Sequence, residues 1–310
     1  GYVDLPGGRI RLYDRFKELE RDFEFYQRFK EMTEAAGLIF LASPFGLKSL
    51  EYLTRLGCRT IKIASPELNH FELLKAAASP ERTLFISTGV STIADIERAL
   101  NCTGTENTVL FHCITAYPAP EEEYNLKVIT ALAGRFGVKV GISDHSLDPV
   151  LVPAVSAALG ARFVEKHFTL EKTGSGLDDP IALNPSEFKK MVSAVRAAED
   201  SLTRPGGSTE IALEPVIAAY GKERTELVMG TGEKALAPSE SMNYGRTNRS
   251  VHALKKLKKG EVLTSSNIAV LRTEKILKPG APPEHYGEFL GRTAARVIES
   301  GQGICAEDLE

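Results

Sequence analysis

The chain reads as an α/β protein built on a TIM (β/α)8-type barrel, and three observations point there. Short apolar runs rich in β-branched and aromatic residues alternate with amphipathic stretches. Those runs are apolar almost throughout, as strands buried on both faces are. Polar residues gather at the C-terminal end of nearly every run: Ser43, Lys62 and Ser65, Ser87 and Thr88, His112, Ser143 and His145, then His167. In a barrel these ends converge on one mouth. An open sheet would concentrate them at one switch point, and no GxGxxG follows a first strand.

Taken in order, a helix is expected over 23–36. Strands are expected over 38–43 (LIFLAS), 60–65 (TIKIAS), 83–88 (TLFIST), 108–113 (TVLFHC), 138–143 (VKVGIS) and 162–168 (RFVEKHF). Helical patterns fall over 50–56, 71–78, 93–100, 126–136, 150–159 and 186–202. That makes roughly six strand–helix units where a closed barrel needs eight. The chain opens on Gly1 rather than Met. The expectation is therefore a barrel whose first two strands lie upstream, with a smaller or open sheet as the alternative.

The character changes after Leu202. Residues 204–209 (RPGGST) are turn-rich, and 229–249 hold Gly, Pro, Ser and Asn with weak periodicity, which suggests a linker containing a short helix. Beyond it, 257–268 (LKKGEVLTSSNI) and 298–309 (IESGQGICAEDL) share one template. Gly260 matches Gly301, Leu263 matches Ile304, Asn267 matches Asp308, and Ile268 matches Leu309. The organisation expected is a barrel over 1–205, a linker over 206–248 and a small repeat-built domain over 249–310.

Composition narrows the class. With 43% hydrophobic and 25% charged residues, the 310-residue chain has globular composition. A net charge of −3 gives no reason to expect nucleic-acid binding, and the lysines at 255, 256, 258 and 259 read as a solvated face. No apolar run approaches the ~18 residues of a membrane span, and no signal peptide is visible. Cys58, Cys102, Cys113 and Cys305 form no CxxC pair, which favours a reduced, cytoplasmic protein.

Several residues carry candidate chemistry. His145 and His167 end successive strands and could supply part of a metal site with open positions, or one could be a structural histidine. Lys62 lies inside an apolar strand, where an ammonium needs a partner: an anionic ligand, or a carboxylate such as Glu67. A Schiff-base lysine is the functional competitor. Ser65, Ser87, Thr88 and Ser143 offer hydroxyls, and Gly89 lets the backbone approach a ligand, which together suit a phosphate or carboxylate. Asp144 and Lys166 would face neighbouring helices or support the site from behind, while Glu165 shares the face of His167. Asp178, in a Gly-rich loop, is either a turn residue or a ligand. Tyr117 is as well suited to packing as to binding.

The runs LIFLASPF (38–45), IKIASPEL (61–68), STGVST (87–92), HCITAYPAP (112–120), GISDHS (141–146) and VEKHFTL (164–170), in this order, resemble the sialic acid synthase family. That family includes synthases of N-acetylneuraminic, legionaminic and pseudaminic acids and spore-coat polysaccharide relatives. The region from about Ser250 to Glu310 resembles the antifreeze-like (SAF) domain. The resemblance implies condensation of phosphoenolpyruvate with the aldehyde of an open-chain N-acetylated amino sugar. The products would be a nonulosonic acid and phosphate, with the C–O rather than the P–O bond breaking. It implies a divalent metal, manganese or magnesium, held by His145 and His167. It implies that Lys62, Ser65, Ser87, Ser143, Thr115 and Ser43 contact phosphoenolpyruvate, with Lys62 an anion clamp rather than a nucleophile. Glu67, Tyr117 and Asp178 would face the amino sugar and metal. Arg272 would contact the sugar from the partner subunit of a homodimer that exchanges its SAF domains.

The sequence also departs from that pattern. The glutamate and second lysine of the family's first two strands have no equivalent here. Asn248 replaces an aromatic, Thr273 follows Arg272 where Pro is common, and GLDDPIAL (176–183) replaces a GPD pattern. Two other functional classes stay open on the residues: a Schiff-base barrel aldolase, and an inactive barrel serving as a sugar-binding or assembly module.

Overall fold

The computed structural model describes residues 2–5, 8–273 and 276–310. It opens with an antiparallel hairpin, β1 (Tyr2–Leu5) with β2 (Gly8–Arg11), followed by α1 (Leu12–Leu19). The sequence reading has no element there. Helix α2 (Phe23–Ala35) starts where Asp22 accepts the Phe25 N–H at 2.9 Å, an ordinary N-cap.

The central sheet has five parallel strands in chain order: β3 (Thr60–Ile63), β4 (Thr83–Ser87), β5 (Thr108–Cys113), β6 (Lys139–Asp144) and β7 (Val164–Lys166). Around it run α3 (Leu47–Arg55), α4 (Phe71–Ala77), α5 (Ile93–Thr103), α6 (Val128–Phe136), α7 (Leu151–Ala158) and α8 (Pro185–Thr203). All six match the helical patterns of the sequence to within a few residues. The α5 and α8 starts carry full capping boxes, Thr92 with Asp95 and Asn184 with Glu187.

The LIFLAS run is not a strand. It contributes one parallel bridge, Ala42 to Ile61, and Phe168 makes a matching bridge to Leu183 at the opposite edge. Ile39 is 82% exposed and Leu38 64%. Without a second neighbour among the described residues, one ladder bond does not hold an extended run in a sheet.

The sheet is strongly curled. Phe85 on β4 and Phe163, just ahead of β7, have ring centroids 4.9 Å apart, and Phe111 on β5 sits 5.3 Å from Phe85. On a flat sheet β4 and β7 would lie about 14 Å apart at the usual strand spacing. Gly141 on β6 makes room for this inner cluster. A Cβ there would meet the Phe163 carbonyl at 2.7 Å and the Phe111 ring at 3.0 Å.

Residues 209–229, expected within a linker, form two helices, α9 (Thr209–Tyr220) and α10 (Lys222–Met229). Their Ala212, Leu213, Val216 and Val228 join the main core cluster. A short helix α11 (Pro238–Ser241) follows. Then come the antiparallel strands β8 (Arg249–Ala253) and β9 (Ile268–Arg272) and the short α12 (Tyr286–Phe289). A second core of Val251, Leu257, Leu263, Ile298 and Ile304 fills this unit.

The repeat read from the sequence is real structure. Leu257 and Ile298 pair with each other through both backbone bonds. Gly260 and Gly301 both sit at φ 79, a left-handed turn position that glycine takes without strain. Asn267 Oδ1 accepts the Thr264 N–H at 2.7 Å, and Asp308 Oδ2 accepts the Cys305 N–H at 2.9 Å. Among the described residues no helix is long and apolar enough to cross a membrane.

The curl sets a test. Gly141→Ala pushes a methyl into the Phe163 carbonyl, and overpacking of this kind typically costs about 1–3 kcal/mol. Urea unfolding should show that loss, whereas an unchanged midpoint would mean the inner cluster is loosely packed.

Candidate active site

The C-terminal ends of the strands converge on one polar cluster. Lys62, on β3, is buried and pairs with Glu165 on β7 at 3.0 Å. Glu165 Oε2 accepts from Ser143 Oγ at 2.5 Å, and Ser143 Oγ shares a hydrogen bond with Ser87 Oγ at 2.8 Å. Four strands therefore contribute one linked set, Lys62–Glu165–Ser143–Ser87. Lys62 also lies 5.6 Å above the Phe111 ring. Burial would push the Glu165 carboxyl up; Lys62 and Ser143 overcome it and hold Glu165 below the usual carboxylate range. The partner of Lys62 is thus Glu165 and not Glu67.

Glu67 belongs to a different arrangement. It is fully buried in the turn after β3. Its Oε2 accepts from Arg249 Nε at 2.5 Å and from the His70 ring at 3.0 Å. Oε1 is buried with no partner among the described residues. Burial would raise this carboxyl, but His70 and Arg249 hold it below the usual range. Arg249 opens β8 of the second unit. Its backbone N–H donates to Asn69 Oδ1 at 3.0 Å, its carbonyl accepts from Asn69 Nδ2 at 2.9 Å, and its guanidinium reaches the Phe45 carbonyl at 2.8 Å.

The two histidines come together. Their ring centroids lie 5.4 Å apart, with Tyr117 stacked on His145 at 4.2 Å and edge-on to His167 at 5.8 Å. His145 Nδ1 donates to the Ile114 carbonyl at 2.7 Å, leaving Nε2 as the lone-pair nitrogen. Burial lowers the His145 pKa against the pull of Ile114 and Asp144, which favours the neutral ring. Asp178 Oδ2 lies 3.3 Å from His167 Nδ1, and that contact holds the Asp178 carboxyl below its usual range. Two imidazoles side by side with further positions open fit a divalent ion completed by substrate or water. Among the described residues no three His, Cys, Asp or Glu side chains form a ready-made metal cage.

Behind His145 lies a buried support. Tyr124 accepts the His145 backbone N–H at 2.7 Å and donates to Asp144 Oδ1 at 2.8 Å. Lys166 pairs with Asp144 Oδ2 at 2.7 Å and donates to the Ser146 carbonyl. Asp144 and Lys166 therefore satisfy each other and fix the loop that carries His145.

Other sequence expectations fall differently. Ser65 is in the cluster, but its Oγ accepts the Gly89 N–H at 3.0 Å, so that amide is already used. A Cβ at Gly89 would lie 2.0 Å from Thr115 Oγ1. The glycine thus admits Thr115 and the neighbouring side chains, where the sequence reading gave the space to a ligand. Thr115 sits beside Cys113, whose thiol burial pushes up to about 11. His112 turns away from the mouth and bonds the Tyr124 carbonyl at 2.5 Å; burial drops its pKa to about 3. Ser43 is exposed at the edge beyond β3. Arg272, at the exposed end of β9, lies within electrostatic range of Glu67 and Tyr117 of the same chain.

Sequence reasoning missed Arg249, His70 and Tyr124. It also missed Glu240, which accepts the backbone N–H groups of Val90 and Thr115 at 2.7 Å each. The APSE run around Glu240 resembles a helix start, but nothing in the pattern says what that carboxylate would hold.

A parallel sheet curled around a buried lysine, with paired histidines at the strand ends, defines an α/β enzyme whose polar site lies at the C-terminal ends of the strands. The chain belongs to the NeuB family: that family's model matches residues 5–206, and the SAF domain model matches 248–310. It is 31% identical to a pseudaminic acid synthase of Campylobacter jejuni over 98% of this chain and 81% of the relative. It is 32% identical to an N,N'-diacetyllegionaminic acid synthase of the same species, over 93% of this chain and 78% of the relative. Among solved structures it resembles the spore coat polysaccharide biosynthesis protein SpsE of Bacillus subtilis. That match has a TM-score of 0.80 at 31% identity, covering 94% of this chain and 78% of that one. A sialic acid synthetase from Leptospira borgpetersenii in complex with citrate matches at a TM-score of 0.59 and 28% identity. It covers 68% of this chain and 74% of the other.

Glu67 makes the site acid-sensitive. Its folded pKa is lowered, so its contribution is full above the unfolded value, about 4.3, and is lost as pH falls through the folded pKa. Arg249→Met should raise that folded pKa, so that acid unfolding begins at a higher pH. Breaking a buried pair typically costs about 3–5 kcal/mol near neutrality. Urea unfolding from pH 3 to 7 reads both effects, and parallel wild-type and variant curves would argue against the pair.

Proposed function

We propose that this chain condenses phosphoenolpyruvate with the aldehyde of an N-acetylated amino sugar to give a nonulosonic acid and phosphate. The observation that carries the reading is the buried Lys62 at the strand ends, paired with Glu165 and linked through it to the hydroxyls of Ser143 and Ser87. A buried ammonium among hydroxyl donors selects a multiply charged anion. The phosphate or carboxylate of phosphoenolpyruvate would share Lys62 with Glu165.

The acceptor end has the complementary character. Glu67 Oε1 is free to accept from an acceptor hydroxyl or amide N–H. Tyr117, Asp178 and Arg272 line the same side. His145 and His167 would hold a manganese or magnesium ion, which polarises and orients the aldehyde when bound. Ser43 stands at the rim as a further contact. Cytoplasmic residence and a homodimer exchanging SAF domains belong to the same proposal.

Phosphate release from phosphoenolpyruvate, measured with manganese across a panel of N-acetylated amino sugars, should depend on the sugar. Release independent of any sugar, or none with the whole panel, would overturn the reading. His145→Ala and His167→Ala should each abolish metal-dependent turnover, whereas full activity in both would remove the metal assignment. Exchange of SAF domains is tested by mixing Lys62→Met and Arg272→Ala variants. Shared sites predict recovered activity in the mixture, while sites completed within one chain predict none.

A further inference from the structure

We propose that Glu240, in the segment joining the two folded units, is a positioning residue for the phosphoenolpyruvate end of the site, clamping together the loops that carry Ser87–Gly89 and Thr115. The proposal rests on the functional reading above and adds to it a residue outside both the barrel strands and the SAF strands.

Glu240 is fully buried. Its Oε1 accepts two backbone N–H groups, from Val90 and from Thr115, both at 2.7 Å. Val90 lies in the loop after β4 and Thr115 in the loop after β5, so one oxygen atom sets the separation of two strand–helix units. Oε2 accepts the Ala237 N–H at 3.3 Å, which fixes the carboxylate to its own helix. That helix is anchored in turn, because Ser239 donates to Glu123 Oε2 through its backbone N–H at 3.1 Å and its hydroxyl at 2.5 Å.

The loops it holds have little freedom of their own. Val90 sits at φ 48, a region costly for a β-branched residue and kept only when its surroundings impose it. Asn248 Nδ2 adds a bond to the Val90 carbonyl at 3.4 Å. The preceding N–H, of Gly89, reaches Ser65 Oγ. Clamping Val90 therefore also places Ser65, and clamping Thr115 places its hydroxyl against Gly89. Both hydroxyls are assigned to phosphoenolpyruvate. The acceptor-side groups Glu67 and Arg272 have no bond to Glu240. Lys234, a buried ammonium with no hydrogen-bond partner among the described residues, lies close enough for its charge to act with that of Glu240.

The test uses the full chain with Glu240→Ala and Glu240→Gln. Three quantities are read: phosphoenolpyruvate binding by calorimetry without acceptor, KM for each substrate, and amide exchange at Val90 and Thr115. Glu240→Ala should weaken phosphoenolpyruvate binding about tenfold or more, as loss of charge-assisted bonds does. The acceptor KM should stay within about twofold, and the two amides should exchange faster. Glu240→Gln should restore most of the affinity, since its amide oxygen can accept the Val90 and Thr115 N–H groups, and only the longer Ala237 bond at 3.3 Å is lost. Faster exchange with unchanged phosphoenolpyruvate binding would overturn the proposal, as would equal rises in both KM values. If the wild-type chain binds no phosphoenolpyruvate, the functional reading fails. Amide exchange then judges the clamp by itself, and unchanged exchange sinks it as well. Should Glu240→Ala not fold, Glu240→Asp, whose carboxylate falls a methylene short, carries the same expected split.

Discussion

The ion pair between Lys62 and Glu165 ties the first strand of the sheet to the last. On a flat sheet β3 and β7 would stand about 19 Å apart at ordinary strand spacing, farther than a lysine and a glutamate can reach together. Their 3.0 Å contact exists only because the sheet curls. The same curl stacks Phe85, Phe111 and Phe163 beneath the pair. Apolar packing at the floor and charge pairing at the rim thus demand one curvature. The hydroxyls of Ser87 and Ser143 complete the ring because their strands lie between the two edges.

A site built on buried charge must satisfy each charge in turn, since an unpaired one costs several kcal/mol. This explains the separate network behind His145. Asp144 and Lys166, paired across the adjacent strands β6 and β7, each sit one residue from Ser143 and Glu165, so they point to the other side of the sheet. There they pair with each other and with Tyr124. His145 inherits a fixed backbone and a fixed tautomer, one from Tyr124 and one from the Ile114 carbonyl.

What the sequence revealed follows from which interactions are local. Strand ends, helix caps and the SAF repeat are set within a few residues, and they were legible. Gly260 and Gly301, or Asn267 and Asp308, repeat because each solves the same turn. Pairings across the fold were not legible. Lys62 has Glu67 nearby in sequence, yet the turn after β3 sends Glu67 toward His70 and Arg249, while Glu165 arrives from the far edge. Strand 38–43 failed for a related reason: its composition is right, but a strand needs neighbours, and it has only the Ala42 bridge. Residues 209–229 carry weak amphipathic patterns because α9 and α10 bury only short stripes against the main core.

The least legible feature is the reciprocity between the two units. The curled-sheet unit supplies a buried acid, Glu67, to a base on the SAF strand, Arg249. The joining segment supplies a buried acid, Glu240, to amides of the loops after β4 and β5. Each side therefore holds a buried polar group whose partner lies on the other. Removing the SAF unit would leave Glu67 with His70 as its one donor among the described residues, and displacing the joining segment would leave two loops of the sheet without their shared acceptor. Buried polar groups in that condition are costly, so the SAF unit and the mouth of the sheet form a single polar network. Within that network Glu67 Oε1 is buried with no partner among the described residues, so the acid is held through Oε2, by His70 from its own turn and by Arg249 from the SAF strand.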